Sequence, residues 1–138
     1  MGIVLDSTVF IAGERARLSV TDVVDTVRKT FDDPELILSV MSAAELIHGI
    51  WRARSPEVRA RREDFVEEIL ARIPVRSITL RTARIAGQLD ALSRTKGVTI
   101  PTADLLIGST AVELSFAVAT HNPRHFRLIP KLRVHHLK

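Results

Sequence analysis

Ile3-Val4-Leu5-Asp6-Ser7-Thr8 is an apolar run that leads into an acid, almost at the start of the chain. Ile3-Val4-Leu5 predicts a short buried β-strand, and Asp6 follows it directly. Two other apolar segments also carry one acid each: Ser42-Ala43-Ala44-Glu45-Leu46-Ile47 and Pro101-Thr102-Ala103-Asp104-Leu105-Leu106-Ile107. A carboxylate near an apolar core is costly unless it is paired or binds a cation. Because converging carboxylates repel each other unless a metal joins them, the three segments indicate a hydrolase that uses a divalent metal.

The composition is that of an ordinary globular protein. The 138 residues suffice for one core, so we expect a single domain over residues 1–138. No apolar stretch approaches the roughly 18 residues of a membrane span, and no secretory signal is recognisable. The absence of Cys excludes disulfides, thiol catalysis and Cys-ligated zinc, and it leads us to expect a cytoplasmic location. Because the chain has no apolar span, we expect no membrane partner. The net charge of +4 favours polyanions such as RNA or DNA as partners.

Strand and helix signals alternate along the chain. The strand candidates are residues 3–5, 36–38, 75–78, 116–119 and 132–135, and the helix candidates are residues 20–31, 42–54, 56–72, 79–95 and 101–114. This alternation predicts an α/β fold with a twisted, mainly parallel sheet of four to five strands flanked by helices. Active sites of such sheets lie at the carboxyl ends of the strands. Asp6 and Asn122 follow strands, and Glu45 and Asp104 are expected in first turns of helices, so all four can share one site.

Each acid also has a structural interpretation. Asp6 has the position of a helix N-cap. Ser42 and Glu45 have the spacing of a capping box, in which Glu reaches back to the N-cap amide. Asp104 lies near a helix start, where acids are favoured in any case, although no basic residue in the same helix can pair with it. The residues alone leave both interpretations open at each position.

Histidines and basic residues are weaker signals. His121 and His125 are four positions apart, but Pro123 between them argues against one regular helix and therefore against a histidine zinc site. Two clusters of basic residues are candidates for holding a phosphate backbone, although most of their members are expected to form a solvated surface: Arg52, Arg54, Arg59, Arg61 and Arg62, and Arg124, Arg127, Lys131 and Arg133.

Taken together, four segments resemble the PIN-domain ribonucleases, and most of all the small VapC toxins of bacterial and archaeal toxin–antitoxin pairs. The matching segments are residues 3–11 (Ile-Val-Leu-Asp-Ser-Thr-Val-Phe-Ile), 42–49 (Ser-Ala-Ala-Glu-Leu-Ile-His-Gly), 102–111 (Thr-Ala-Asp-Leu-Leu-Ile-Gly-Ser-Thr-Ala) and 119–126 (Ala-Thr-His-Asn-Pro-Arg-His-Phe). The resemblance lies in the order and the separations of these four segments, and it covers nearly the whole chain. The resemblance implies a PIN-like domain with an acidic pocket that binds Mg²⁺ or Mn²⁺.

The resemblance places the first three acids of the family motif at Asp6, Glu45 and Asp104. It implies that Asp6 and Asp104 are the main metal ligands and that Glu45 binds metal or orients the attacking water. The fourth position of the family, often Asp, is Asn122 here, which can coordinate through its carbonyl but brings no charge. Its structural alternative is the N-cap of a short helix that begins at Pro123.

Ser7 and Thr8 are expected as secondary contacts of the site. By resemblance, the chain is a Mg²⁺- or Mn²⁺-dependent endoribonuclease and the toxin of a toxin–antitoxin pair, hydrolysing RNA with a metal-activated water. The implied partners are RNA, a cognate antitoxin and a second copy in a homodimer. Two alternatives remain open: a nucleic-acid or protein-binding module with weak or no catalysis, and a metal-dependent phosphatase or phosphoacceptor domain. The latter usually needs further acids near the first strand, where Asp6 stands alone.

Overall fold

The computed structural model describes residues 1–138 as a parallel sheet covered by helices on both faces. The strands are β1 (Gly2–Leu5), β2 (Glu35–Ser39), β3 (Val75–Arg76), β4 (Ala117–Thr120) and β5 (Val134–His136). The helices are α1 (Ser7–Arg15), α2 (Val20–Thr30), α3 (Val40–Trp51), α4 (Pro56–Arg72), α5 (Leu80–Thr95) and α6 (Thr102–Leu114), and a short 3₁₀ helix spans Phe126–Leu128. All strand pairs are parallel, in the order β3-β2-β1-β4-β5. The predicted α/β fold is confirmed.

The central strand β1 is buried on both faces, which explains its uninterrupted apolar sequence. Side chains alternate across a strand, so Ile3 and Leu5 pack with α1, α2, α3 and α4, whereas Val4 packs with α5, α6 and the 3₁₀ helix. The sheet thus separates two apolar cores. Because β1 and β4 are parallel neighbours, their carboxyl ends lie side by side.

Helix α1 was not among the predicted helices. Its β-branched Thr8 and Val9 and its Gly13 have low helix propensity. Residue propensities alone therefore do not predict this helix. Val9 and Phe10 are buried in the apolar core, so tertiary packing stabilises the helix. None of the helices in the structure combines the length and the apolarity that crossing a membrane requires.

The predicted start of α3 at Ser42 was wrong. The helix begins at Val40, and the Ser39 hydroxyl accepts a hydrogen bond from the Met41 amide at 3.1 Å. Strand β2 runs directly into the helix at Ser39, so no loop residues separate the two elements. Glu45 therefore lies in the second turn rather than the first. The capping-box interpretation of Ser42 and Glu45 is wrong.

Near the candidate site, two other helix starts differ from those that the sequence predicts. Pro101 is the N-cap of α6 in extended conformation rather than part of its first turn, so Asp104 is the third residue of the helix. Pro123 begins no helix, because the 3₁₀ helix starts at Phe126 and His125 is its N-cap. The interpretation of Asn122 as a helix N-cap is therefore wrong.

Candidate active site

Asp6 lies at the carboxyl end of β1, where the chain turns into α1. It occupies the N-cap position, but its side chain accepts no hydrogen bond from the helix backbone. Its Oδ2 instead accepts hydrogen bonds from Thr8 Oγ1 at 2.7 Å and Thr120 Oγ1 at 2.8 Å. The residue is 4% exposed. The carboxylate is therefore held by hydroxyl groups from α1 and β4 rather than used as a helix cap.

The two hydroxyl groups around Asp6 are themselves fixed by backbone amides. The His121 amide donates to Thr8 Oγ1 at 3.1 Å, and the Asn122 amide donates to Thr120 Oγ1 at 2.9 Å. Because each hydroxyl accepts from an amide, its own proton is free to point at Asp6 Oδ2. The hydrogen bonds leave Asp6 Oδ1 without a protein partner. One carboxylate oxygen of Asp6 is thus available to a ligand.

Glu45 projects from the second turn of α3 at the exposed rim of the site. Partial burial raises the pKa of its carboxyl above the usual 4.5, and the charges of Asp6 and Asp104 raise it further. The Ser7 hydroxyl acts against these effects by stabilising the ionised form. The helices that begin after Asp6 and that carry Glu45 and Asp104 also contact one another, α1 with α3 and α3 with α6. The structure therefore brings together the three acids named from the sequence, and it places Ser7 beside one of them.

Asp104 reaches the same site from the third position of α6. Its Oδ2 lies 2.9 Å from His125 Nδ1, and the side chains of Asp104 and His125 are 26% and 33% exposed, respectively. Partial burial and the charge of Asp6 raise the pKa of Asp104, while the hydrogen bond and the charge of His125 lower it. The basic partner that is missing from α6 itself is thus supplied by the segment after β4.

Asn122 differs from the other residues expected at the site. It is exposed, its side chain makes no hydrogen bond, and only its backbone amide contributes, through Thr120. Thr120 and His125 were not named from the sequence as site residues, although both lie in the 119–126 segment that carries the family resemblance. The position of Thr120 at the carboxyl end of β4 is the one signal that indicates it.

The three acids do not form a closed cage. No group of three His, Asp or Glu side chains is close enough together to hold a metal ion unaided. What the structure does offer is a set of carboxylate oxygens at a sheet edge, the type of donor that hard divalent cations prefer.

Glu45 also borders a groove of about 580 Å³ between α1, α3 and α4. Its floor includes the apolar side chains of Leu46, Val58 and Phe65, and its rim carries Arg15, Arg52, Arg54 and Arg62. Arg62 is held by the Gly49 carbonyl at 2.8 Å and by Glu14. Members of the first basic cluster therefore line the same cavity as Glu45.

The parallel sheet with acids at its carboxyl edge defines an α/β protein with an acidic cleft, and comparison with known proteins identifies its family. The PIN domain family profile matches residues 3–132. Ribonuclease VapC10 from Mycobacterium tuberculosis is 35% identical over 131 residues, which cover 95% of this chain and 90% of the relative. The chain belongs to the PIN-domain family, and the resemblance seen in the sequence is confirmed.

Solved structures show the same fold. The crystal structure of VapBC2 from Rickettsia felis bound to a DNA fragment from their promoter has a TM-score of 0.86 at 19% identity, with 100% of both chains covered. A member of the VapBC family of toxin–antitoxin systems, VapBC-5 from Mycobacterium tuberculosis, has a TM-score of 0.73 at 22% identity, with 100% of this chain and 99% of that chain covered. At these identities the likeness shows the fold.

Proposed function

We propose that this protein is a divalent-metal-dependent endoribonuclease and the toxin of a toxin–antitoxin pair. The observation that carries the proposal is the convergence of Asp6, Glu45 and Asp104 at the carboxyl ends of β1 and β4 in a PIN-domain chain. The relative at 35% identity is a ribonuclease by name, and a structural neighbour belongs to a toxin–antitoxin system. These similarities favour a nuclease over the phosphatase alternative.

The residues fit a divalent cation. Mg²⁺ is usually bound by one or two carboxylates and keeps several of its waters, so it does not need a closed protein cage. Asp6 offers Oδ1, which has no protein partner, and Asp104 offers the oxygen that is not bonded to His125. Burial first, and then the charge of neighbouring carboxylates, raises the pKa values of Glu45 and Asp104, and a bound cation would stabilise their ionised forms. Mg²⁺ or Mn²⁺ is therefore the cofactor that we propose.

In this mechanism Asp6 and Asp104 would hold the cation, and Glu45 at the rim would orient the attacking water. When bound, the cation supplies positive charge to the scissile phosphate and lowers the pKa of a bound water. Burial of Asp6 and its two hydroxyl donors keep its carboxylate in one orientation. Arginines of the groove rim, such as Arg52 and Arg54, are placed to bind RNA phosphates next to the site.

The nature of the cleaved ends tests this chemistry. An external water leaves a 5′-phosphate and a 3′-hydroxyl, whereas attack by the RNA 2′-hydroxyl leaves a cyclic phosphate. Total cellular RNA, which contains mRNA, rRNA and tRNA, is incubated with the protein in Mg²⁺ or Mn²⁺, and with EDTA as the control. We expect cleavage only with metal and only 5′-phosphate ends. Cyclic ends formed in EDTA would contradict the proposal, and binding of RNA without cleavage would favour the binding-module alternative.

We propose an antitoxin and a second copy of the chain as partners. The groove beside Glu45 combines an apolar floor with a cationic rim, which suits an amphipathic antitoxin segment that covers the acids. An arginine from that segment could neutralise the carboxylates. We expect a homodimer by light scattering and growth arrest on expression in the cytoplasm, relieved by the antitoxin. A monomer without toxicity would count against the toxin assignment.

A further inference from the structure

The segment of residues 120–125, from the last residue of β4 onward, reaches both of the acids that we propose as main metal ligands. Thr120 Oγ1 lies 2.8 Å from Asp6 Oδ2, and His125 Nδ1 lies 2.9 Å from Asp104 Oδ2. Asn122, between them, uses only its backbone amide. The segment therefore contributes to the site through hydrogen-bond donors that contact the acids.

His125 is held by its own neighbours in the chain. Its carbonyl accepts a hydrogen bond from the Leu128 amide at 3.1 Å, and the Pro123 carbonyl accepts one from the Arg127 amide at 3.0 Å. The adjoining Phe126 is 1% exposed and belongs to the apolar core that contains α5 and α6. Burial of Phe126 and these two hydrogen bonds restrain the backbone on both sides of His125, which places its imidazole beside Asp104.

We propose that His125 is a positioning residue that orients Asp104 toward the metal. The inference rests on the proposed function, because it concerns a ligand of that metal. An ionised carboxylate can only accept, so the proton of this hydrogen bond resides on Nδ1. Because Oδ2 of Asp104 is bonded to His125, Oδ1 would be the oxygen that holds a cation, just as Oδ1 of Asp6 is left free by its two hydroxyl donors. Partners of this kind change metal affinity or activity by about 10- to 100-fold.

His125→Asn and His125→Leu form a matched pair for the test. Their side chains have nearly the same shape, but only Asn carries an amide donor close to the place of Nδ1. We expect His125→Leu to weaken Mn²⁺ binding about 10- to 100-fold by calorimetry, and to lower kcat on RNA at limiting metal with little change in KM. His125→Asn should retain most of the affinity and activity. Asp90→Asn, which removes a carboxylate from the α5 surface pair with Arg94, serves as the control and should match the wild type.

The outcomes separate this role from the proposed function. Wild-type affinity in His125→Leu, or equally weak binding in the Leu and Asn variants, would overturn the positioning role. A purely structural role predicts that both variants lose Tm and that metal affinity does not follow the presence of the donor. A wild-type protein that neither binds Mn²⁺ nor cleaves RNA would instead contradict the proposed function itself, and with it the role of His125.

Discussion

Thr120 Oγ1 donates a hydrogen bond to Asp6 Oδ2 at 2.8 Å and so joins residues 114 positions apart. Both residues are buried, and each lies where its strand ends. Strands β1 and β4 are neighbours in the sheet, so this bond links two ends that parallel pairing has already placed together. The orientation of the Asp6 carboxylate therefore depends on a hydroxyl from another strand.

Thr120→Val should impair the site while preserving its shape. The substitution removes the hydroxyl that donates to Asp6, and a hydrogen bond to a charged group contributes about 1.5–3 kcal/mol. We expect a loss of that order in the free energy of unfolding, measured by urea denaturation without metal, together with weaker Mn²⁺ binding. Thr110→Val is the control, because Thr110 is equally buried and its hydroxyl bonds only the Leu106 carbonyl. Equal effects of both variants on metal binding would show that the Thr120 hydroxyl has no specific role.

Asp6→Asn, Glu45→Gln and Asp104→Asn should each abolish RNA cleavage without unfolding the protein. Each substitution removes one of three mutually repelling charges, so the metal-free Tm should stay level or rise. Circular dichroism and differential scanning calorimetry of the EDTA-treated proteins check this expectation. Asp90→Asn, which removes a carboxylate from the α5 surface pair with Arg94, is the control and should retain full activity. Cleavage by any of the three site variants at the wild-type rate would remove that acid from the mechanism.

The gain in stability from Glu45→Gln should depend on pH. The pKa of Glu45 is raised above 4.5 in the fold, so its ionised form is disfavoured by folding and the wild type loses stability as the pH rises through the raised pKa. The Tm advantage of Glu45→Gln should therefore be largest at neutral pH and disappear as the pH falls toward 4.5. A difference that does not change with pH would mean that the carboxylate charge is not its cause.

Glu113 should contribute to stability with the opposite pH dependence. Its side chain is 4% exposed and accepts hydrogen bonds from Thr82 Oγ1 at 2.7 Å and Arg76 Nη2 at 3.0 Å. These bonds, with Thr82 first, lower its pKa below 4.5, so the stabilisation is complete above 4.5 and is lost as the pH falls through the folded pKa. Glu113→Gln should cost about 1–3 kcal/mol at neutral pH, and less in acid.

The surface pair of Asp90 and Arg94 again provides the comparison for Glu113. That pair joins positions i and i+4 of α5 in partly exposed surroundings, where ion pairs contribute less than about 1 kcal/mol. Urea denaturation of Glu113→Gln and Asp90→Asn at neutral and acid pH should show a large, pH-dependent loss only for the first. Equal losses would indicate that burial of Glu113 brings no additional stabilisation.

Asn122→Asp should strengthen metal binding if the side chain lies within reach of the cation. The variant adds a fourth carboxylate close to a site with three, and we expect tighter Mn²⁺ binding than in the wild type by calorimetry. Asn122→Ala should lose less activity than Asp6→Asn, because it removes only a neutral group. It should also keep wild-type stability, since the exposed Asn122 caps no helix. Unchanged metal binding in both variants would place Asn122 outside the site.

The sequence predicted the sheet and singled out the three acids as candidates because both leave local signals. Continuous apolar runs mark buried parallel strands, and a single acid within or after such a run is conspicuous. The ends of α4 were also predicted correctly, since Pro56 at its first position and its charged surface are local features.

Other parts of the site depend on contacts that no local pattern contains. Helix α1 is stabilised by burial of Val9 and Phe10, against the propensities of its residues. Ser39 rather than Ser42 caps α3, because β2 leads into the helix without a loop. His125 meets Asp104 across 21 positions only after β4 has joined the sheet. Such pairings become visible once the strand order is known.

The wide separation of the site residues along the sequence has a consequence for the newly made chain. Asp6 and Glu45 come from elements synthesised early, whereas Thr120 and His125 follow α6 in the sequence. Ribosomes add residues from the N-terminus, and a domain generally folds as one unit. A nascent chain that has produced only α1, α2 and α3 thus carries Asp6, Thr8 and Glu45 but lacks Asp104 and the Thr120 hydroxyl. The full set of site residues is therefore assembled only late in translation. Until the chain is released from the ribosome, the cell has time to bind the protein before its site is complete.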